Sequence, residues 1–413
     1  MRTARDTFLR VTLPLAALNF LNQASRTVMS VIGPVLAVEF GLSASELGLL
    51  AACMFAAYAA AQLPLGVALD RLGPRRVQAA LALVAAAGFG LFAISESFAA
   101  FAAARAIMGV GVAGGLIAIL KANTQWYAAE RVAGITGLAM AFGALGSVCT
   151  TAPVEAALPA IGWRGVFALL CAAAVAVGAW IYLSVRDRPA AGPPRLAAEL
   201  AVVGEILASG RFWRFAPPVA MLSILNFTYL GLWAGPWLRD VAGMEGAARA
   251  QTLLLYTFAM VAGSLAIGQA ASIAQARRWP AMLVPSLCMA GLLGAQAGLA
   301  AAPTDPAAVT ALWLAFAFFA SGGVSGYVAV GQMFPPEHMG RVSTAINTLT
   351  LAGAFLLQSA IGWILDLWPR SASGGWSPAG YSAAFALSIA LQLVLLARLA
   401  GACGAPGSAP RPR

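Results

Sequence analysis

Gly66-Val67-Ala68-Leu69-Asp70-Arg71-Leu72-Gly73-Pro74-Arg75-Arg76 is the stretch on which the reading of the whole chain turns. It separates two long apolar runs, Ser45 to Leu69 and Val77 to Ile94, and holds the only acid and the three cations of that neighbourhood. A gap this short between two runs of membrane length makes a tight turn on one face of a bilayer. Retention of positive charge on one side would account for the arginines. It would not account for Asp70 or for the two glycines, Gly66 and Gly73.

The composition around this turn agrees with a membrane solvent. Of 413 residues, 61% are hydrophobic and 10% charged, against about a quarter charged in a soluble domain. At roughly 20 residues per span, the length suits about a dozen helices. The five cysteines contain no CxxC pair, and Cys53, Cys149, Cys171 and Cys288 lie inside apolar runs, where a thiol acts as a small hydrophobe. The single histidine, His338, falls in a polar loop. No metal-ligand set and no nucleophile–base pair is present, so neither an enzyme nor a cofactor is expected.

Twelve spans are predicted, at 12–38, 45–69, 77–95, 98–120, 132–157, 165–185, 213–238, 250–273, 280–301, 307–333, 342–366 and 381–400. With the N-terminus inside, nineteen of the 25 cations fall in inside segments and only Arg164, Arg239, Arg249 and Arg370 in outside loops. That bias predicts that both termini are cytoplasmic in a bacterial inner membrane. It also explains the net charge of +10 without nucleic acid. The reading divides the chain into a first half (1–186), a linker (187–212), a second half (213–400) and a disordered tail (401–413). Within the linker, Leu196, Leu200, Val203 and Leu207 recur at helical spacing and predict a short interfacial helix.

The halves repeat each other. Gly33-Pro34-Val35-Leu36 returns as Gly235-Pro236-Trp237-Leu238, an offset of 202, and Gly66 with Arg75-Arg76 returns at the same offset as Gly268 with Arg277-Arg278. Arg131-Val132 returns as Arg341-Val342, and Phe167-Ala168-Leu169 as Phe385-Ala386-Leu387, at slowly growing offsets. Two six-helix bundles in the same orientation are expected.

Span 1 is the least lipid-like. Asn19, Asn22, Arg26 and Ser30 follow one another at spacings of three and four, which makes one polar stripe. Arg26 is near mid-span, where facing lipid would cost a few kcal/mol on the mildest scale, so it faces protein or a water-filled cavity. A guanidinium there is a rigid fork suited to a carboxylate or phosphate.

The turn at Asp70 resembles the loop between the second and third helices of major facilitator superfamily transporters, with Pro74 standing where many members begin their basic run. The resemblance covers nearly the entire chain and implies the all-α, twelve-helix fold of that superfamily. It implies that Gly66, Asp70, Arg71, Gly73, Arg75 and Arg76 act in gating, with Asp70 meeting the start of the eleventh helix near Arg341. The run Arg105-Ala106-Ile107-Met108-Gly109-Val110-Gly111 resembles the fourth-helix motif, which assigns Arg105 and Gly109 to conformational or proton coupling. Span 1 through Asp70, with Gly41-Leu42-Ser43, Tyr58, Gln62 and Pro64, looks like the organic-anion branch. Members of that branch carry a first-helix arginine that meets an anionic substrate. The acid that usually precedes this arginine is missing, and Ser25 takes its place.

The expected function is therefore secondary transport of a small solute, an organic anion, by alternating access. The expected site is Arg26, Asn22, Asn19, Tyr58 and Gln62, faced by Asn226, Tyr229 and Asn347. Arg26 aligns with Thr228 in the second half, so a phosphate-ester exchanger gripping from both halves is disfavoured. Glu155, near an outer end, is the candidate proton site. The alternatives are efflux of hydrophobic or drug-like compounds, suggested by Trp233, Trp237 and Phe227; soft-metal transport, suggested by Cys53 and scattered methionines; and a non-transporting sensor on the same fold. The implied partners are the small solute, the bilayer and a coupling proton or ion, with the protein acting as a monomer.

Overall fold

The structure, a computed structural model, describes residues 4–187, 196–244, 246–335, 338–371 and 374–403, with a few side chains inside these ranges, Asp70 among them, outside the description. The linker residues 188–195 and the tail from 404 onward, both expected to be irregular, also lie outside it.

Among the described residues every regular element is a helix. The first half contains α1 (Ala4–Thr7), a π turn (Phe8–Thr12), α2 (Leu13–Glu39), α3 (Ala44–Ile94) and α4 (Phe98–Val112). It continues with α5 (Gly115–Trp126), α6 (Ala129–Cys149) and α7 (Ala152–Ser184). The helix expected in the linker is present as α8 (Leu196–Ala208). The second half begins with α9 (Gly210–Thr228), a second π turn (Tyr229–Trp233), α10 (Ala234–Asp240) and α11 (Gly246–Ala276). It ends with α12 (Leu283–Ala300), α13 (Pro306–Ala320), α14 (Gly323–Gly331), α15 (Met339–Leu365) and α16 (Pro378–Cys403).

Ten stretches among the described residues are long and apolar enough to cross a membrane. The two expected spans outside that set are helical but do not meet the measure. α2 is diluted by Asn19, Asn22, Gln23 and Arg26, and the apolar part of α6 is short, 134–149. α2 is nevertheless almost wholly enclosed by the other helices, which is how a helix bearing this many polar groups is kept from lipid.

The turn that opened the sequence reading is a hinge of one residue. α3 is two helices joined at Gly73, whose φ of 79° lies in the left-handed region that only glycine enters without strain. Pro74 then starts the second helix, a position where its missing N–H costs nothing. Lys121 Nζ donates to the Leu69 carbonyl at 2.6 Å, just before the hinge. Just after it, Asp187 Oδ1 accepts from the Arg75 backbone N–H at 2.8 Å. A cation thus sits at the end of one helix and a carboxylate at the start of the next, each on the dipole-favoured side.

Three expected spans are interrupted. α4 and α5 are separated at Ala113–Gly114, and α13 and α14 at Ser321–Gly322, inside the spans expected at 98–120 and 307–333. The two breaks are 208 residues apart (322 minus 114), within the drift of the internal repeat. The span expected at 132–157 stops at Cys149, and the chain turns at Thr150–Thr151. The cause is Pro153, which lacks an N–H to continue α6 and instead sits in the first turn of α7.

The halves are bonded to each other at the end opposite the Gly73 hinge, here called the far end. Asp366, which caps the C-terminus of α15, accepts from the Ala44 and Ser45 N–H groups at 2.9 and 2.8 Å. That N-terminus already has a capping box between Ser43 and Glu46, so its donors are met by two carboxylates and a hydroxyl. Arg370 donates to the Leu42 carbonyl at 2.6 Å, and Arg249 of α11 pairs with Glu155 of α7 at 2.9 Å. At the basic end, the bonds from Lys121 to Leu69 and from Arg75 to Tyr182 lie within the first half, and Arg211 of the linker reaches Met333 of the second.

Candidate functional site

Arg26 is partly exposed at the middle of α2, between the halves. Its Nε donates to Asn22 Oδ1 at 2.9 Å, one helical turn earlier. Asn22 Nδ2 donates in turn to Asn19 Oδ1 at 3.4 Å. The expected stripe is therefore a relay of bonds from Asn19 through Asn22 to Arg26, of which only Arg26 opens outward, while Ser30 is buried and donates to the Thr27 carbonyl at 2.7 Å. Asn19 is wedged against Gly115 and Gly143 and reaches the Met140 sulfur at 4.0 Å, inside the first half.

Three rings surround the guanidinium. Its Cζ lies 4.7 Å from the Phe227 ring centre, 4.9 Å from that of Tyr58 and 5.6 Å from that of Phe55. Phe55 and Tyr58 come from α3 and Phe227 from α9, so the cage spans both halves. Phe55 and Phe227 stack across the boundary at 5.9 Å with an interplanar angle of 15°. Each such contact is worth about 0.5–2 kcal/mol and holds the guanidinium plane without cancelling its charge. Among the described residues no carboxylate pairs with Arg26. The cation is thus held between the halves by rings, one amide and the Tyr58 side chain.

The neutral residues expected opposite Arg26 divide. Asn226 adjoins Phe227, but its Oδ1 accepts from Tyr256 at 2.9 Å and its Nδ2 faces the Met260 sulfur at 3.3 Å. Tyr229 is buried in the second half, stacked on Phe385 at 4.7 Å beside Trp313 and Phe316. Asn347 is partly exposed on α15, one turn before Thr350. Gln62 is buried and donates to the Ala113 carbonyl freed by the α4–α5 break, at 3.2 Å. Sequence reasoning missed Tyr327 of α14, which stands near Arg26 and shares a 2.7 Å hydrogen bond with Thr350. A tyrosine at mid-span was the available signal. Phe55 carried none.

Arg105 is 1% exposed, yet it bears on the site. Its Nη1 donates to the Ser25 carbonyl at 2.8 Å and its Nε to the Leu50 carbonyl at 3.3 Å. It thereby ties together α2 and α3, the helices that carry Arg26, Phe55 and Tyr58. Gly109, one turn on, lies so close to Met54 that a Cβ would strike the Met54 carbonyl. Of the turn residues, Arg75 bonds the Tyr182 carbonyl at 2.7 Å and covers the Tyr182 ring, Arg71 and Arg76 are exposed, and Gly66 faces open space. Glu155 is the partner of Arg249 in the far-end seam, not a residue of the Arg26 cage.

Known proteins place this architecture. The family model of the Major Facilitator Superfamily matches residues 15–357. A Cupriavidus necator protein named "Probable sulfoacetate transporter SauU" is 29% identical over 188 residues, which is 45% of this chain and 43% of that protein. An Escherichia coli protein named "Probable L-galactonate transporter" is 30% identical over 183 residues, 42% of this chain and 38% of that one. The chain thus matches less than half the length of either relative. Among solved structures, a bacterial homolog of the human lysosomal transporter Spinster, in an inward-facing and unoccupied conformation, superposes with a TM-score of 0.73. That match is at 18% identity and covers 97% of this chain and 96% of that one. The nucleoside transporter NupG gives a TM-score of 0.74 at 14% identity, covering 94% of this chain and 98% of that one.

Proposed function

Because the chain belongs to the major facilitator superfamily and is a transporter rather than an enzyme, we propose that it carries a small organic anion across the bacterial inner membrane by alternating access, with Arg26 as the anion clamp. The observation that carries this reading is the uncompensated guanidinium between the halves, caged by Phe55, Tyr58 and Phe227. The names of the relatives, which concern sulfoacetate and galactonate, point to the same chemical class.

In this account the basic end is cytoplasmic, twelve helices span the membrane, and the protein works as a monomer without nucleic acid. In this reading the far-end bonds form the outer gate, and while they hold an anion reaches Arg26 from the basic end. Opening outward breaks the Arg249–Glu155 pair and the Asp366 cap, and Asp70, against the start of α15 near Arg341, anchors the gate at the basic end. A coupling proton, if one is used, has Glu155 as its acceptor. Asp70→Asn is expected to lower turnover severalfold while leaving the protein folded and inserted.

The test is uptake by purified protein in liposomes, screened over small carboxylates and sulfonates, with Arg26→Ala in parallel. Loss of uptake in a folded Arg26→Ala protein supports the clamp, and normal uptake removes it. The aromatic cage favours one second reading, efflux of lipophilic compounds, which would survive that mutation.

A further inference from the structure

The residues around Arg26 also restrict what kind of anion fits. Resting on the anion-clamp reading above, we propose that the substrate has one anionic head and a planar, largely apolar body: an aromatic or conjugated monocarboxylate, not a dianion and not a polyhydroxy acid.

The head follows from how the guanidinium is spent. With Nε given to Asn22 and Tyr58 also bonded to the guanidinium, the N–H donors that remain suffice for a single carboxylate. Among the described residues, the other cation at comparable depth is Arg105, which is buried and directed at the Ser25 and Leu50 carbonyls. A second anionic group on the substrate would enter the cavity with no countercharge and would lose its hydration.

The body follows from the walls. Phe55, Tyr58 and Phe227 surround the cation with rings, and the nearly parallel Phe55 and Phe227 offer flat apolar surface beside it. Three of the polar side chains nearby are already committed. Asn226 is bonded to Tyr256 and Met260, Tyr327 to Thr350, and Gln62 to the Ala113 carbonyl. A row of substrate hydroxyls would need partners that these groups have given away, and each unmatched hydroxyl would weaken binding.

The experiment is equilibrium binding to the full-length protein in lipid nanodiscs, with benzoate and nicotinate as monocarboxylate probes, tartrate as the dianion and galactonate as the polyol acid. The monocarboxylates are expected to bind at least about tenfold more tightly than either competitor. Phe227→Leu should weaken benzoate about fivefold, and Phe227→Tyr, which keeps the ring, should restore it. Tartrate or galactonate binding as tightly as benzoate, with loss in Arg26→Ala, would overturn this inference and leave the clamp standing. Benzoate binding unchanged in folded Arg26→Ala would remove the clamp itself.

Discussion

The two halves repeat one helical pattern but present different inner walls. At mid-depth the first half offers Arg26, bonded through Nε to Asn22, bonded also to Tyr58, and otherwise held by rings. At the matching position of the second half, 202 residues later, stands Thr228, fully buried and with no partner for its hydroxyl. The π turn Tyr229–Trp233 follows it directly, an irregularity often found at functional sites. In that turn Gly231 and, just beyond it, Gly235 let the second half press against the α2 backbone at Arg26 and Ser30. The repeat therefore governs where helices stand, while charge is placed by each half separately. One half supplies the cation and two of its rings, and the other supplies the third ring and a close-packed neutral wall.

That asymmetry can be broken deliberately. The largest effect is expected from Arg26→Ala, which removes one partner of a desolvated ion pair with bound substrate, worth about 2–5 kcal/mol or roughly 30- to several-thousand-fold in affinity. Thr228→Val at the matching site should leave uptake near normal, and a loss as large as that of Arg26→Ala would abolish the distinction between the walls. Arg105→Gln comes next. It frees the Ser25 and Leu50 carbonyls from their shared donor and should cost about 2–4 kcal/mol of stability, read by thermal denaturation, together with some affinity through slack in α2.

The seam between the halves gives a smaller effect. Glu155→Gln weakens the pair with Arg249 and should shift the population toward the far-open state by about 1–2 kcal/mol, read as faster labelling of a far-end cysteine by an impermeant reagent. Least affected should be Asn226→Ala. It costs the Tyr256 hydrogen bond, about 1 kcal/mol of stability, yet substrate affinity should stay within about threefold. A larger loss of affinity would return Asn226 to the binding wall.

The sequence made the first wall readable because its parts are local. Arg26 and Asn22 are four apart on one helix, and that spacing alone predicts their contact. The turn at Gly73 was readable for the same reason, as a short charged gap with two glycines between two apolar runs. What completes these features comes from far away along the chain. Phe227 reaches Arg26 from the other half, and Asp187 reaches the Arg75 N–H from the end of the sixth predicted span. Such contacts depend on how helices pack, which periodicity does not encode. Asn226 and Tyr229 had the right polarity and depth, but neither property tells whether a polar group is already bonded or buried within its own half. The interruption at Thr150 was available locally through Pro153, but was read as helix because the apolar run continues past it.

The most direct test of the clamp is a titration of the transported anion into purified Arg26→Ala and Arg26→Lys proteins, with folding verified by thermal denaturation in the same samples. The account predicts folded proteins in which Arg26→Ala shows no saturable binding and Arg26→Lys recovers little, because an ammonium cannot present two parallel donors to one carboxylate. An Arg26→Ala protein that binds the anion with wild-type affinity and loses only stability would contradict it.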